Sequence, residues 1–167
     1  MKKMMQYITT FLLTGSLLAS GAYAETNVSF VQMGHVAEFK LMDAKTNTYE
    51  LTLKKANPYV TYISDRPARI IGQLTNQAFL AKWNVGKDSF QQDAPNAVLN
   101  GAIRAAGQKK QFVNIAVELS APVYHADTQR FSYRVHLINS ATKQVPAEKL
   151  YYAVLFIDNA CLSCVGK

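Results

Sequence analysis

Phe131-Ser132-Tyr133-Arg134-Val135-His136-Leu137-Ile138 decides the fold class. Phe131, Tyr133, Val135 and Leu137 alternate with Ser132, Arg134, His136 and Ile138. Side chains of a strand point to opposite faces in turn, so this period of two describes a strand with one buried and one wet face. Val113 to Ser120 repeats the pattern, with Val113, Ile115, Val117 and Leu119 on one face. Tyr49, Leu51 and Leu53 repeat it again. Weaker strand patterns lie at Val28 to Met33, Val36 to Met42, Tyr59 to Ser64 and Val98 to Arg104. Leu150 to Ile157 is apolar on both faces and reads as a central strand.

The connections are short. Asp43 to Asn47, Ala106 to Lys110 and Ala126 to Gln129 have the composition of tight loops, and Ser140 to Pro146 is a longer polar one. His35, after Gly34, also reads as part of a turn. Strand following strand through tight loops implies antiparallel pairing, hence a mainly β domain, sandwich or barrel-like. Asn76 to Asn84 breaks the pattern. Phe79, Leu80 and Trp83 stand at helical spacing, Thr75 or Asn76 can cap the start, and Gly86 can end the segment. One short helix near residues 76–84 is expected.

Composition agrees with a globular domain. The chain has 167 residues, 49% of them hydrophobic and 17% charged, which is too apolar for a disordered segment. Residues Met1 to Ala24 read as a secretory signal peptide, with Lys2 and Lys3, an apolar run from Ile8 to Leu18, and Ala22-Tyr23-Ala24 as the cleavage site. That run is too short for a spanning helix. The expected organisation is a signal peptide over 1–24 and a single β-rich domain over 25–167, periplasmic or secreted. Loss of a leader with two lysines and no acid lowers the formal net charge from +7 to +5. No later apolar segment is long enough to cross a membrane as a helix.

The middle of the chain carries an ordered set of motifs. Tyr62-Ile63-Ser64-Asp65-Arg66-Pro67-Ala68-Arg69 comes first, then Phe79 to Trp83, then Asp88-Ser89-Phe90, then Asp93-Ala94-Pro95-Asn96-Ala97-Val98-Leu99. This resembles a family of small secreted bacterial proteins of uncharacterised function. Ala94 stands where that pattern has a second proline. The resemblance brings no activity and no catalytic residue with it.

The motif residues themselves suggest two uses. Asp65, Arg66, Arg69 and Asp93 can pin two loops together through ion pairs, with Asn96 forming a turn beside Pro95. Alternatively, Arg66 and Arg69 are forked donors suited to a carboxylate or phosphate. They would then form an anionic-ligand pocket floored by Trp83. Both readings stay open.

Cys161-Leu162-Ser163-Cys164 closes the chain. In an oxidising compartment a disulfide between Cys161 and Cys164 is the default. A redox pair or a thiolate metal site is the alternative, but His35, His125, His136 and Met33 sit at no ligand spacing. The sequence contains no nucleophile elbow, phosphate loop, zinc helix or calcium loop, so no cofactor is implied. A hydrolase would have to use Asp65, Asp88 or Asp93 with His125. Short lysine pairs at Lys54-Lys55 and Lys109-Lys110 protect strand edges rather than forming a nucleic-acid stripe. The expected function is therefore a non-enzymatic binding or envelope-associated module, its partner an anionic envelope component or small anion.

Overall fold

A computed structural model describes residues 27–64, 68–86, 89–103, 109–138 and 145–161, with side chains given as far as 158. The described elements are β1 (Asn27–Asp43), β2 (Thr48–Ala56), β3 (Tyr59–Ser64), β4 (Ile70–Thr75), α1 (Asn76–Lys82), β5 (Asn96–Ile103), β6 (Gln111–His125), β7 (Arg130–Leu137) and β8 (Leu150–Cys161). The mainly β class, the antiparallel pairing and the short helix are as the sequence implies.

The sheet closes on itself. Its order is β2-β7-β6-β5-β8-β1-β3-β4, and β1 also pairs with β2. Six strands therefore form a ring, β1-β2-β7-β6-β5-β8, in which each neighbour is antiparallel. Of the sandwich and the barrel, the structure selects the barrel. Closure removes the edges that an open sheet would expose.

Closure rests on the length of β1. One edge of β1 pairs with β8 from Asn27 to Ala37. The other edge is shared. Ser29 to Val31 pair with β3, and Gly34 to Asp43 pair with β2. Residues 28–33 and 36–42 thus belong to one strand rather than two, and His35 lies inside it rather than in a turn. Gly34 has a packing reason: a Cβ there would stand 3.1 Å from Leu53 Cβ. The β3–β4 hairpin leaves the ring as an appendage beside the first half of β1.

The expected tight loops form between β1 and β2 and between β6 and β7. In the first, Asp43 Oδ1 accepts from Lys45 N at 2.8 Å, and Asn47 adopts φ 50°. In the second, Gln129 takes φ 50°. The alternating apolar residues face inward. Leu51, Leu53, Leu99, Ile115, Val117, Leu119, Phe131, Tyr133, Val135 and Leu155 are all buried. These side chains meet in one hydrophobic core inside the barrel.

Thr75 caps α1, its Oγ1 accepting from Ala78 N at 3.1 Å. The helix sets Phe79 and Trp83 against the barrel interior. Phe79 meets Phe30 edge-on at 5.1 Å, and Trp83 meets Tyr133 at 5.8 Å. Phe90 joins them, 4.9 Å from Trp83. Such pairs add about 0.5–1.5 kcal/mol beyond the area they bury.

A polar chain runs through this core. Tyr133 Oη donates to Gln32 Oε1 at 2.8 Å, and Gln32 Nε2 donates to Asn76 Oδ1 at 3.3 Å. Asn76 Nδ2 then donates to the Asn57 carbonyl at 2.8 Å. The first helical residue is thereby tied to β7, β1 and the β2–β3 connection.

Candidate functional site

Neighbouring rows on the barrel exterior differ in chemistry. Across β1, β2, β7 and β6 one outward row reads Lys40, Glu50, Arg134, Ser120, and the next reads Glu38, Thr52, Ser132, Val123. Apart from Val123, these rows are polar, and several of their side chains are bonded. Thr52 and Ser132 hydroxyls lie 3.1 Å apart, Ser120 Oγ donates to the Arg134 carbonyl, and Glu38 bridges Lys54 and Lys149. Lys54 holds the Glu38 carboxyl below its ordinary value by hydrogen bonding, against a smaller opposing effect of burial.

Across β6, β5, β8, β1 and β3 the corresponding row reads Ala116, Val98, Phe156, Val31, Thr61. This row carries no charge. Phe156 is 51% exposed and Val98 40%. Between them and Ile138 lies a groove of about 480 Å³, rimmed by Ser29, Asn96 and Asp158. Its apolar floor and few polar rim groups have the composition of a ligand site.

The sequence contained the signal for this groove in Leu150 to Ile157. β8 is central in the sheet order, flanked by β5 and β1. Its inward side chains Ala153, Leu155 and Ile157 are buried, but Tyr152 and Phe156 face out and are exposed. A strand apolar on both faces implies cover on both. Among the described residues, β8 has cover on one.

The motif residues are dispersed. Trp83 is 2% exposed, so its ring belongs to the core and does not floor an open pocket. The reason is the hydrophobic payload of α1: Phe79 and Trp83 on one side can be buried only by turning that side to the barrel. Asn96 lines the outer groove. Arg69 and Asp93 are exposed, Arg69 just before β4 and Asp93 in the turn before β5. That turn is held by backbone bonds, from Gln91 N to the Trp83 carbonyl and from Asp93 N to the Ser89 carbonyl. Asp65, Arg66, Asp88 and Cys164 lie outside the described residues, as does the side chain of Cys161. The proposed anionic pocket and the Cys161–Cys164 disulfide therefore have no described geometry.

His125 ends β6 opposite Arg130, while Asp93 lies in a separate turn. No group of three or more His, Cys, Asp or Glu side chains among the described residues could hold a metal. Among the described residues no helix is long and apolar enough to cross a membrane. Searches of protein-family models, curated proteins and solved structures give no match for the chain.

Proposed function

We propose that the protein is an exported, non-enzymatic binding module that holds its ligand on the outside of a filled barrel. The carrying observation is the uncharged outward row Val98, Phe156 and Val31 beside the groove that ends at Asn96 and Asp158. The barrel interior is lined by its own buried side chains, and among the described residues this groove is a concave surface open to solvent. The ligand it suits is an apolar group with a polar end: apolar contact over Phe156, Val98 and Ile138, and hydrogen bonds at the rim. Burying about 100 Å² of apolar ligand surface in this way is worth roughly 2.5 kcal/mol.

An uncharged dye, N-phenyl-1-naphthylamine, tests the reading. Its fluorescence should rise on binding the purified protein. The rise should fall several-fold in Phe156→Ser and Val98→Ser, two exposed positions whose change leaves the core intact. Phe112→Ser, an exposed control on β6, should keep the signal. Equal binding by all variants, or no binding by the parent protein, would reject the groove as the site.

A further inference from the structure

On the barrel exterior β8 carries one residue more than its neighbour β5. Asn100 pairs with Val154 and Ala102 with Tyr151, so Ala153 and Tyr152 together oppose Gly101. A bulge of this kind re-aims a side chain. Here it turns Tyr152 outward, with φ 56° and 55% exposure. An aromatic residue rarely adopts that left-handed conformation, and such strain gathers at sites of function. Charged and aromatic neighbours flank the ring. Lys110 Nζ lies 5.1 Å from its centre, and the His35 ring meets it edge-on at 6.5 Å. Tyr152 thus presents an apolar body and a polar tip at a fixed place on the surface.

The next outward row supplies hydrogen-bonding groups. It reads Asn114, Asn100, Val154 and Met33, and it contains no acid. Asn100 Nδ2 donates to Asn114 Oδ1 at 2.8 Å, at the surface. That bond leaves Asn100 Oδ1 to accept and Asn114 Nδ2 to donate, side by side. Neighbouring hydroxyls of a sugar each donate and accept, so two of them match such a pair. Successive outward rows lie two residues apart, about 7 Å, a span comparable to one sugar ring with its substituents. Lys110 adds a positive charge, and no acid pairs with it among the described residues. A simple anion would leave the amide pair unused, and a neutral sugar would leave the ammonium unused. We infer that this face binds an acidic saccharide. Its hydroxyls meet Asn100 and Asn114, its ring carbons lie against Tyr152, and its carboxylate meets Lys110. The site is separate from the groove, since Tyr152 stands four residues along β8 from Phe156, and it does not depend on that reading.

Proton–nitrogen NMR of the purified protein tests this. Trigalacturonate at up to about 10 mM, enough to reveal a weak site, should shift the side-chain amide signals of Asn100 and Asn114. Galactotriose, a trisaccharide without carboxylates, should bind several-fold more weakly. Acetate at the same ionic strength should leave these signals in place. Lys110→Gln should lower trigalacturonate affinity to that of the neutral sugar. Tyr152→Asn, whose short side chain tolerates positive φ, should weaken both sugars while the rest of the spectrum stays folded. Lys40→Gln removes the same charge from an exposed position elsewhere on β1 and should bind like the parent. Amide signals unmoved by trigalacturonate would overturn the inference. So would equal losses in Lys110→Gln and Lys40→Gln, which would reduce the effect to net charge, or equal shifts with acetate, which would mean an anion site without sugar recognition.

Discussion

The Tyr133 hydroxyl reaches across the barrel interior and donates to Gln32 Oε1 at 2.8 Å, joining β7 to β1 through side chains. Both residues are buried, and Gln32 passes the bond on to Asn76 at the start of α1. A buried polar chain stabilises only while each member is satisfied. This one fixes where the helix docks, because Asn76 must meet both Gln32 and the Asn57 carbonyl.

Tyr133→Phe keeps the ring and removes the donor. Gln32 Oε1 then stays buried without its partner, which costs about 1–3 kcal/mol. Urea unfolding should show that loss with an unchanged slope. Adding Gln32→Leu to Tyr133→Phe should cost less than the two changes separately, since the carbonyl needing a partner is gone. Strict additivity would mean that the pair is not coupled.

Alkaline pH should weaken the protein through the same residue. Burial raises the Tyr133 pKa well above its ordinary value, outweighing the opposing hydrogen bond to Gln32. The folded state thus holds the proton that the unfolded chain releases near pH 10. The neutral phenol's contribution is complete below about pH 10 and declines above it, by up to about 1.4 kcal/mol per pH unit. Stability measured from about pH 9 to 11 should fall more steeply for the parent protein than for Tyr133→Phe. Parallel curves would show that Tyr133 ionises without unfolding.

Trp83 is the one tryptophan in the chain, so its fluorescence reports a single place. Packed on Phe79, Phe90 and Tyr133, it should emit at short wavelength and resist quenching by iodide. Trp83→Ala should cost about 3–5 kcal/mol, as a large aromatic lost from a core does. Red-shifted, readily quenched emission from folded protein would place the ring in solvent.

How far the fold was legible depended on which physical signal each part leaves. Val113 to Leu119 and Phe131 to Leu137 bury one face, so alternation alone identifies them. The helix announces itself through Thr75, Phe79 and Trp83 because capping and packing are local. Barrel closure is not local. It depends on one edge of β1 serving both β3 and β2, which no run of residues records. β4 leaves a weak signal because Gly72 interrupts a short apolar run, and the reason for that glycine lies under the Tyr62 ring. Of the motif residues, Trp83 and Phe90 went to the core and Asn96 to the groove. Spacing could not separate those roles, since helical and strand periods locate a face without saying whether it turns inward. Phe156 was readable only as a buried residue, because burial of both faces of β8 is the cheaper inference from an unbroken apolar run.

If the protein is exported, Cys161 and Cys164 should be oxidised. Their spacing closes a very small loop at the end of β8, where Cys161 pairs in the sheet with Asn27. A thiol assay on denatured periplasmic protein should detect no free thiol before reduction and two after it. The bond should add at most about 2 kcal/mol, since loop entropy grows with loop length. Two free thiols before reduction would instead favour a redox or metal role.

Acid should act on Glu38, which takes a hydrogen bond from Lys54 and approaches Lys149 to 3.1 Å. These lysines hold the carboxyl below its ordinary value of 4.5, Lys54 by the larger effect. A depressed folded pKa means that the folded state keeps the charge where the unfolded chain takes up a proton. The contribution is therefore present above about pH 4.5 and is lost as pH falls through the lower folded value. Glu38 and Lys54 are both partly open to water, so screening limits the pair to less than about 1 kcal/mol. Glu38→Gln should lower the urea midpoint slightly at about pH 7, and the difference should shrink at about pH 3. Added salt should shrink it as well, because the carboxylate and both lysines are within reach of counterions. A difference that persists in acid and high salt would mean that Glu38 acts through packing of its stem, not through its charge.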